Sequence, residues 1–259
     1  MHFKKILIMA AALAMLCSMS IAVAQDEEKN DGLARVALIT AKDGHNKALE
    51  EAIVEYHHFM GTKKGAMRYQ WWAIETGENT GKYLARSGDH NWADFDAKHD
   101  WQEEAGEKFN SMVRPHIDNA VVTIMGPYDD EIGIWPDSME GYQYVSVTQW
   151  HIKPGHGDKF DEGLKKIDKT LKAGGFPGYY TFVRAVSGGT GNTVMLVSPR
   201  KNFADMAPKE PSFMEIMSKD MGSEDKTKAF MSDWGTTFKS GENMLLRYMA
   251  EQSDYGDAK

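Results

Sequence analysis

Apolar and polar positions alternate in several short runs of the chain, and apolar positions recur every three or four residues between those runs. Runs rich in β-branched and aromatic residues at 34–41 and 143–152 predict strands. A glycine-containing break follows each run, and apolar residues at helical spacing then predict a helix with one buried face. These helical positions are Leu49, Ile53 and Tyr56 in the first case and Phe160, Leu164, Ile167 and Leu171 in the second.

The order of predicted elements is the same in both halves of the chain. In each half the pattern continues with a hairpin (67–87 and 179–198), a helix (101–116 and 229–238) and a last strand (120–125 and 243–249). Glycine-rich turns mark both hairpins. The order is therefore β-α-β-β-α-β twice, which is the ferredoxin-like split unit.

Short motifs also repeat at a constant distance. Gly44-His45 recurs as Gly155-His156, and Asn91-Trp92-Ala93-Asp94 recurs as Asn202-Phe203-Ala204-Asp205, both 111 positions later. A fixed offset over separated motifs is the mark of an internal duplication. An insertion of ten residues within 207–227 then shifts the alignment of the second copy. The sequence thus predicts a first unit at 33–126, an acidic linker at 127–141 and a second unit at 142–250.

The N-terminal residues 1–24 read as a signal peptide. Lys4 and Lys5 form a positive head, an apolar run follows, and Ala22 and Ala24 place small residues before an acidic segment. A lipoprotein signal would acylate Cys17, but Leu16 stands where that site needs a small residue. We expect cleavage after Ala24 and a periplasmic or secreted protein.

Composition narrows the functional classes. The chain of 259 residues carries 30 basic and 38 acidic side chains, a formal charge of −8 that becomes −10 without Lys4 and Lys5. An acidic balance disfavours nucleic acid as a partner, because phosphate binding needs a basic surface. No later stretch is apolar enough to span a membrane, so no membrane partner is expected after cleavage. Removing Cys17 leaves no cysteine, and homo-oligomerisation stays open.

At this point the chain resembles the dimeric α+β barrel superfamily, which includes the antibiotic-biosynthesis-monooxygenase-like proteins. The resemblance rests on Ile152-Lys153-Pro154-Gly155-His156 followed by Phe160, on Ala41-Lys42-Asp43-Gly44-His45 followed by Leu49, and on the two-copy element order. In that superfamily two such units join their sheets around a barrel. The resemblance implies an α+β fold in which two tandem ferredoxin-like units form an intramolecular dimeric α+β barrel.

A barrel of this kind can enclose a cavity lined by alternate strand residues. If Trp150 and Ile152 face the helices, then Gln149 and His151 point inward. The hairpin strands also contribute to the lining, but the sequence leaves open which of their two faces points inward. One face carries Tyr69 and Trp71 with Tyr180 and Arg184. The other includes Gln70, Trp72 and Thr181. Our candidate ligand-binding set is His151, Gln149, Tyr180, Arg184, Tyr69 and Trp71. Such a lining suits a small hydrophobic or aromatic molecule.

Other motifs indicate folding rather than chemistry. The glycine-rich segment 187–192 lacks the lysine of a phosphate-binding loop and corresponds to a hairpin turn at 76–81. His57 and His58 are adjacent on a helix and point about 100° apart, which prevents joint metal binding. Methionines in the insertion could hold copper in an exported protein. Their helical spacing instead favours packing in a core or lid.

Two function classes follow. The first is a non-catalytic exported protein that binds a small molecule in the barrel, and we expect neither a cofactor nor a metal. The alternative, implied by the resemblance, is a cofactor-independent monooxygenase-like enzyme. Chlorite-dismutase-like proteins also use tandem units and bind haem through a histidine on a helix of the C-terminal unit. Here no histidine follows His156, which disfavours haem.

Overall fold

A computed structural model describes residues 30–129, 131–189 and 191–253. The predicted signal peptide, its cleavage site and Cys17 lie outside these residues. Within them, no helix has the length and apolar character needed to cross a membrane.

The first half contains four strands and two helices close to their predicted positions. These are β1 (Leu33–Ala41), α1 (Asn46–Gly61), β2 (Gln70–Ile74), β3 (Tyr83–His90), α2 (Gln102–Lys108) and β4 (Ile117–Met125). Leu49 and Ile53 of α1 are buried, as their spacing predicts. The helix predicted at 101–116 is regular only in α2, and it continues through a π turn and a 3-10 turn to His116.

The second half repeats this order with one additional helix. Its elements are β6 (Tyr144–Ile152), α3 (Gly157–Ala173), β7 (Tyr180–Ser187), β8 (Thr193–Arg200), α4 (Phe213–Met221), α5 (Glu224–Gly235) and β9 (Phe238–Tyr248), and a short strand, β5 (Gly133–Ile134), precedes them. The insertion supplies α4, in which Ile216 and Met217 are buried. The methionine-containing segment is therefore part of the core.

The strands form a closed antiparallel barrel with helices outside it. Their order is β4-β1-β3-β2-β9-β6-β8-β7, and β4 also pairs with β7, which closes the ring. The order within the first half, β4-β1-β3-β2, recurs in the second as β9-β6-β8-β7. Two seams join the halves, β2 with β9 and β4 with β7.

Part of the predicted acidic linker pairs with the barrel. β5 pairs with β7, where Gly133 lies opposite Thr181 and Ile134 opposite Tyr180. Ile132 is 5% exposed. Residues 133–134 therefore extend the sheet along the part of β7 that β4 leaves unpaired.

Alternation along the strands separates two kinds of core. Trp150 and Ile152 pack beneath the helices of the second half, and Ala37 and Ile39 pack beneath α1. The intervening residues, such as Val145, Val147 and Leu38, meet inside the barrel. The expected inward parity of β1 and β6 is confirmed.

Candidate functional site

The interior of the barrel contains a cavity of about 660 Å³. Its walls are apolar, with Val36, Val147, Val197 and Leu246 among the residues that line it. This volume lies within the usual range of about 300–1,000 Å³ for small-molecule sites.

Aromatic side chains enclose the cavity at the barrel end where β1, β2 and β6 begin. Trp72 packs edge-on against Tyr248 with ring centroids 5.1 Å apart. Tyr128 and Trp135, from the segment between the halves, stack at 5.9 Å and also line the cavity. We call this end of the barrel the mouth. Neither residue is in the predicted site set, because the sequence at 127–141 indicates only an acidic linker.

Polar groups of the cavity are few, and they lie at the mouth. Gln70, at the start of β2, pairs with Arg86 on β3. Both line the cavity, as do Gln143 and Tyr142. Among the described residues that line the cavity, Arg86 is the only charged one, and the lining includes no histidine, aspartate or glutamate.

The predicted pair His151 and Gln149 lies on the inner face but away from this cavity. Their positions continue the inward alternation of Val145 and Val147 toward the opposite end of the barrel. The Nδ1 atom of His151 is 3.2 Å from the Thr193 hydroxyl, and its Nε2 is 3.5 Å from the Gln149 amide nitrogen. Neither residue lines the cavity.

Tyr180 and Arg184 face the helices, so their assignment to the barrel interior is corrected. The Tyr180 hydroxyl donates to Asp168 of α3 at 3.0 Å, and burial together with that carboxylate raises the pKa of Tyr180 strongly. Asp168 also accepts the backbone N–H of Gly133 at 2.8 Å. Arg184 pairs with Asp161 on α3. Both side chains therefore tie β7 to its helix.

Tyr69 and Trp71 also face outward, which corrects their assignment to the barrel interior. They line a separate cavity of about 720 Å³ between the sheet and the helical segments of the first half, which we call the outer cavity. Arg35 donates to the Tyr69 hydroxyl at 2.6 Å. The Trp71 side chain is buried, and its indole N–H has no hydrogen-bond acceptor among the described residues. The opposite parity, with Gln70 and Trp72 inward, is the one the structure has.

Three histidines line the outer cavity without forming a metal site. They are His57, His90 and His99. His90 lies 2.7 Å from the Ser87 hydroxyl, and burial lowers its pKa. No group of three or more histidine, cysteine, aspartate or glutamate side chains within the described ranges could hold a metal ion.

His45 and His156 immediately precede α1 and α3, as their turns predict. The Nδ1 atoms of His45 and His116 are 3.0 Å apart. This contact fixes the loop before α1 against the loop before β4, and it lies outside both cavities.

Comparison with known proteins supports the fold. No protein-family model matches the sequence, and no curated protein matches it significantly. Solved structures do match. A candidate monooxygenase from Fusobacterium nucleatum is 13% identical with a TM-score of 0.51, covering 85% of this chain and 93% of the other. An anthrone oxidase-like protein is 12% identical with a TM-score of 0.51, covering 85% and 92%.

A mutant chlorite dismutase from Candidatus Nitrospira defluvii in complex with cyanide is also similar. It is 7% identical with a TM-score of 0.50, and the match covers 86% of this chain and 92% of the other. Together these neighbours confirm the dimeric α+β barrel fold that the sequence resemblance predicts. At such low identity they establish the fold alone.

The second half does not fit the haem ligation that the resemblance implies for chlorite-dismutase-like proteins. Its cavity beneath the helices, about 560 Å³, is lined by apolar residues such as Leu164, Phe182 and Met231, with Arg200 and Lys209 as its charged groups. No histidine is among the described residues that line it. The lining of this cavity therefore supplies no imidazole with which to bind a haem iron.

Proposed function

We propose that this chain is an exported protein that binds a small hydrophobic or aromatic molecule inside its barrel. The observation that carries the proposal is the 660 Å³ cavity, which has apolar walls and an aromatic mouth. Burial of apolar ligand surface in such a cavity contributes roughly 25 cal/mol per Å². Flat molecules also gain from packing against Trp72 and Tyr248.

The lining favours binding over catalysis. General acid–base catalysis needs a titratable group within hydrogen-bond reach of the substrate. The described lining of the barrel cavity offers arginine, glutamine and tyrosine side chains but no histidine or carboxylate. Arginine and the tyrosine hydroxyl both stay largely protonated at physiological pH, so neither type of side chain is an effective general base there.

The division of the barrel into two repeated units is also part of this proposal. We infer that each half is one ferredoxin-like unit and that the tandem pair builds an intramolecular counterpart of a dimeric barrel. The repeated strand order and the two equivalent seams support this inference.

Titration with N-phenyl-1-naphthylamine, a neutral probe that fluoresces in apolar surroundings, tests the proposal. We expect saturable fluorescence enhancement with one site per chain, because the cavity can bury both the naphthyl and the phenyl group. Fluorescence that stays at the level of free probe, for protein with an intact thermal transition, would contradict the proposal.

A monooxygenase-like activity is the second candidate, and the outer cavity favours it. The buried indole N–H of Trp71 and the Arg35–Tyr69 pair supply polar groups that could orient a substrate there. Anthrone is a suitable test compound because one structural neighbour is described as anthrone oxidase-like.

For this candidate, oxygen uptake on addition of anthrone should exceed the protein-free rate. Tyr69→Phe should lower the uptake at least tenfold, whereas Tyr128→Phe, outside that cavity, should leave it unchanged. Equal uptake with and without protein would exclude this activity toward anthrone.

A further inference from the structure

The positive charge of Arg86 at the barrel mouth indicates the chemical class of the ligand. We propose that the ligand is an amphipathic aromatic anion, with its carboxylate or other acidic group held by Arg86 and its apolar body enclosed by the barrel. This inference rests on the proposed binding function and names the chemical class of its ligand.

Arg86 has no carboxylate partner among the described residues. Its guanidinium makes no ion pair or hydrogen bond with any of them; its Cζ lies 5.2 Å from the centroid of the Tyr128 ring, and its positive charge adds to burial in lowering the pKa of His90. An aromatic ring accepts no conventional hydrogen bond, so the five N–H donors of the guanidinium remain available. Other arginines pair: Arg184 with Asp161, and Arg247 with Glu75.

The backbone makes room for this charge. Gly88 follows Arg86 by two positions on β3, and a Cβ atom added there would lie 2.5 and 2.6 Å from the two terminal guanidinium nitrogens. The guanidinium therefore folds over a glycine, toward the end of β3 and thus toward the mouth. Any larger side chain at position 88 would displace it.

The position of the charge defines how the ligand is oriented. A guanidinium partly removed from water and without a carboxylate partner favours an anion, and its planar donors can bind a carboxylate through two parallel bonds. Gln70 adds an amide donor beside Arg86. Deeper in the barrel the walls are Val147, Val197 and Leu246. A ligand with its acidic group beside Arg86 and its apolar body deeper in the barrel therefore matches the polar mouth and the apolar walls.

Two matched probes separate this inference from the proposed function. 8-Anilino-1-naphthalenesulfonate and N-phenyl-1-naphthylamine share the same aromatic body and differ by one sulfonate. We expect the anionic probe to bind wild-type protein at least tenfold more tightly than the neutral probe. Arg86→Gln should weaken the anionic probe tenfold or more and change the neutral probe less than twofold, and Arg86→Lys should retain part of the preference.

Arg247→Gln, which removes an arginine that lines neither the barrel cavity nor the outer cavity, is the matched control and should leave both probes unaffected. Binding of the neutral probe without preference for the anion, or an anion preference that survives Arg86→Gln, would overturn the inference while the binding function stands. If neither probe binds, the proposed function itself fails.

Discussion

Val147→Trp is expected to weaken N-phenyl-1-naphthylamine binding at least 100-fold. Val147 lies on the inner face of β6, is 6% exposed and lines the barrel cavity. An indole at this position projects into the space that the probe would occupy. Val147 also packs against core neighbours, so we expect the free energy of unfolding to fall by no more than the usual overpacking cost of about 1–3 kcal/mol, part of the indole being accommodated by the cavity.

Val186→Trp is the matched control, since Val186 is 49% exposed and does not line the cavity. It should bind the probe as the wild-type protein does. Undiminished binding by Val147→Trp, with a normal thermal transition, would show that the probe binds elsewhere.

Gly163→Val is expected to lower the free energy of unfolding by about 2–4 kcal/mol, from overpacking and a weakened hydrogen bond. A Cβ atom at this position of α3 would lie 2.2 Å from Cδ1 of Trp234. The glycine lets the Trp234 indole pack on α3, where its N–H donates to the Phe160 carbonyl at 3.0 Å and its ring stacks on Phe160. A valine must push this indole away.

Gly106→Ala is the control that separates the steric clash with Trp234 from the effect on stability of replacing any glycine within a helix. Gly106 lies in α2 with open space around its Cα, so alanine should raise stability by about 0.5–1 kcal/mol through helix propensity. Urea denaturation of the three proteins measures both changes. Equal stability of Gly163→Val and wild type would contradict the packing of α5 on α3.

Local pattern predicts most of the elements because helices such as α3 have one clearly apolar face and residues of strands such as β6 alternate between two faces. β6 shows this well: Trp150 and Ile152 mark its helix-facing side, and that alternation correctly places Val147 inside the barrel. The halves could also be aligned from repeated turns such as Gly44-His45. A turn depends on the residues within it, so its motif can be recognised directly in the sequence.

The candidate site was harder to predict because both faces of β2 and β7 are apolar. Trp71 and Trp72 are neighbours of equal character, and only the packing of α1 decides that Trp71 faces outward. For Tyr180 the deciding group is Asp168, which is distant in sequence and charged. The mouth residues Tyr128 and Trp135 belong to a segment whose position depends on pairing with β7. No local pattern reveals such contacts.

The central claim is that the barrel encloses a ligand cavity, and a crystal structure with N-phenyl-1-naphthylamine tests it most directly. We predict electron density for the naphthyl and phenyl groups of the probe inside the barrel, against Trp72 and Val147. Density for the probe beneath α1 in the outer cavity, or an interior filled by side chains, would contradict the claim.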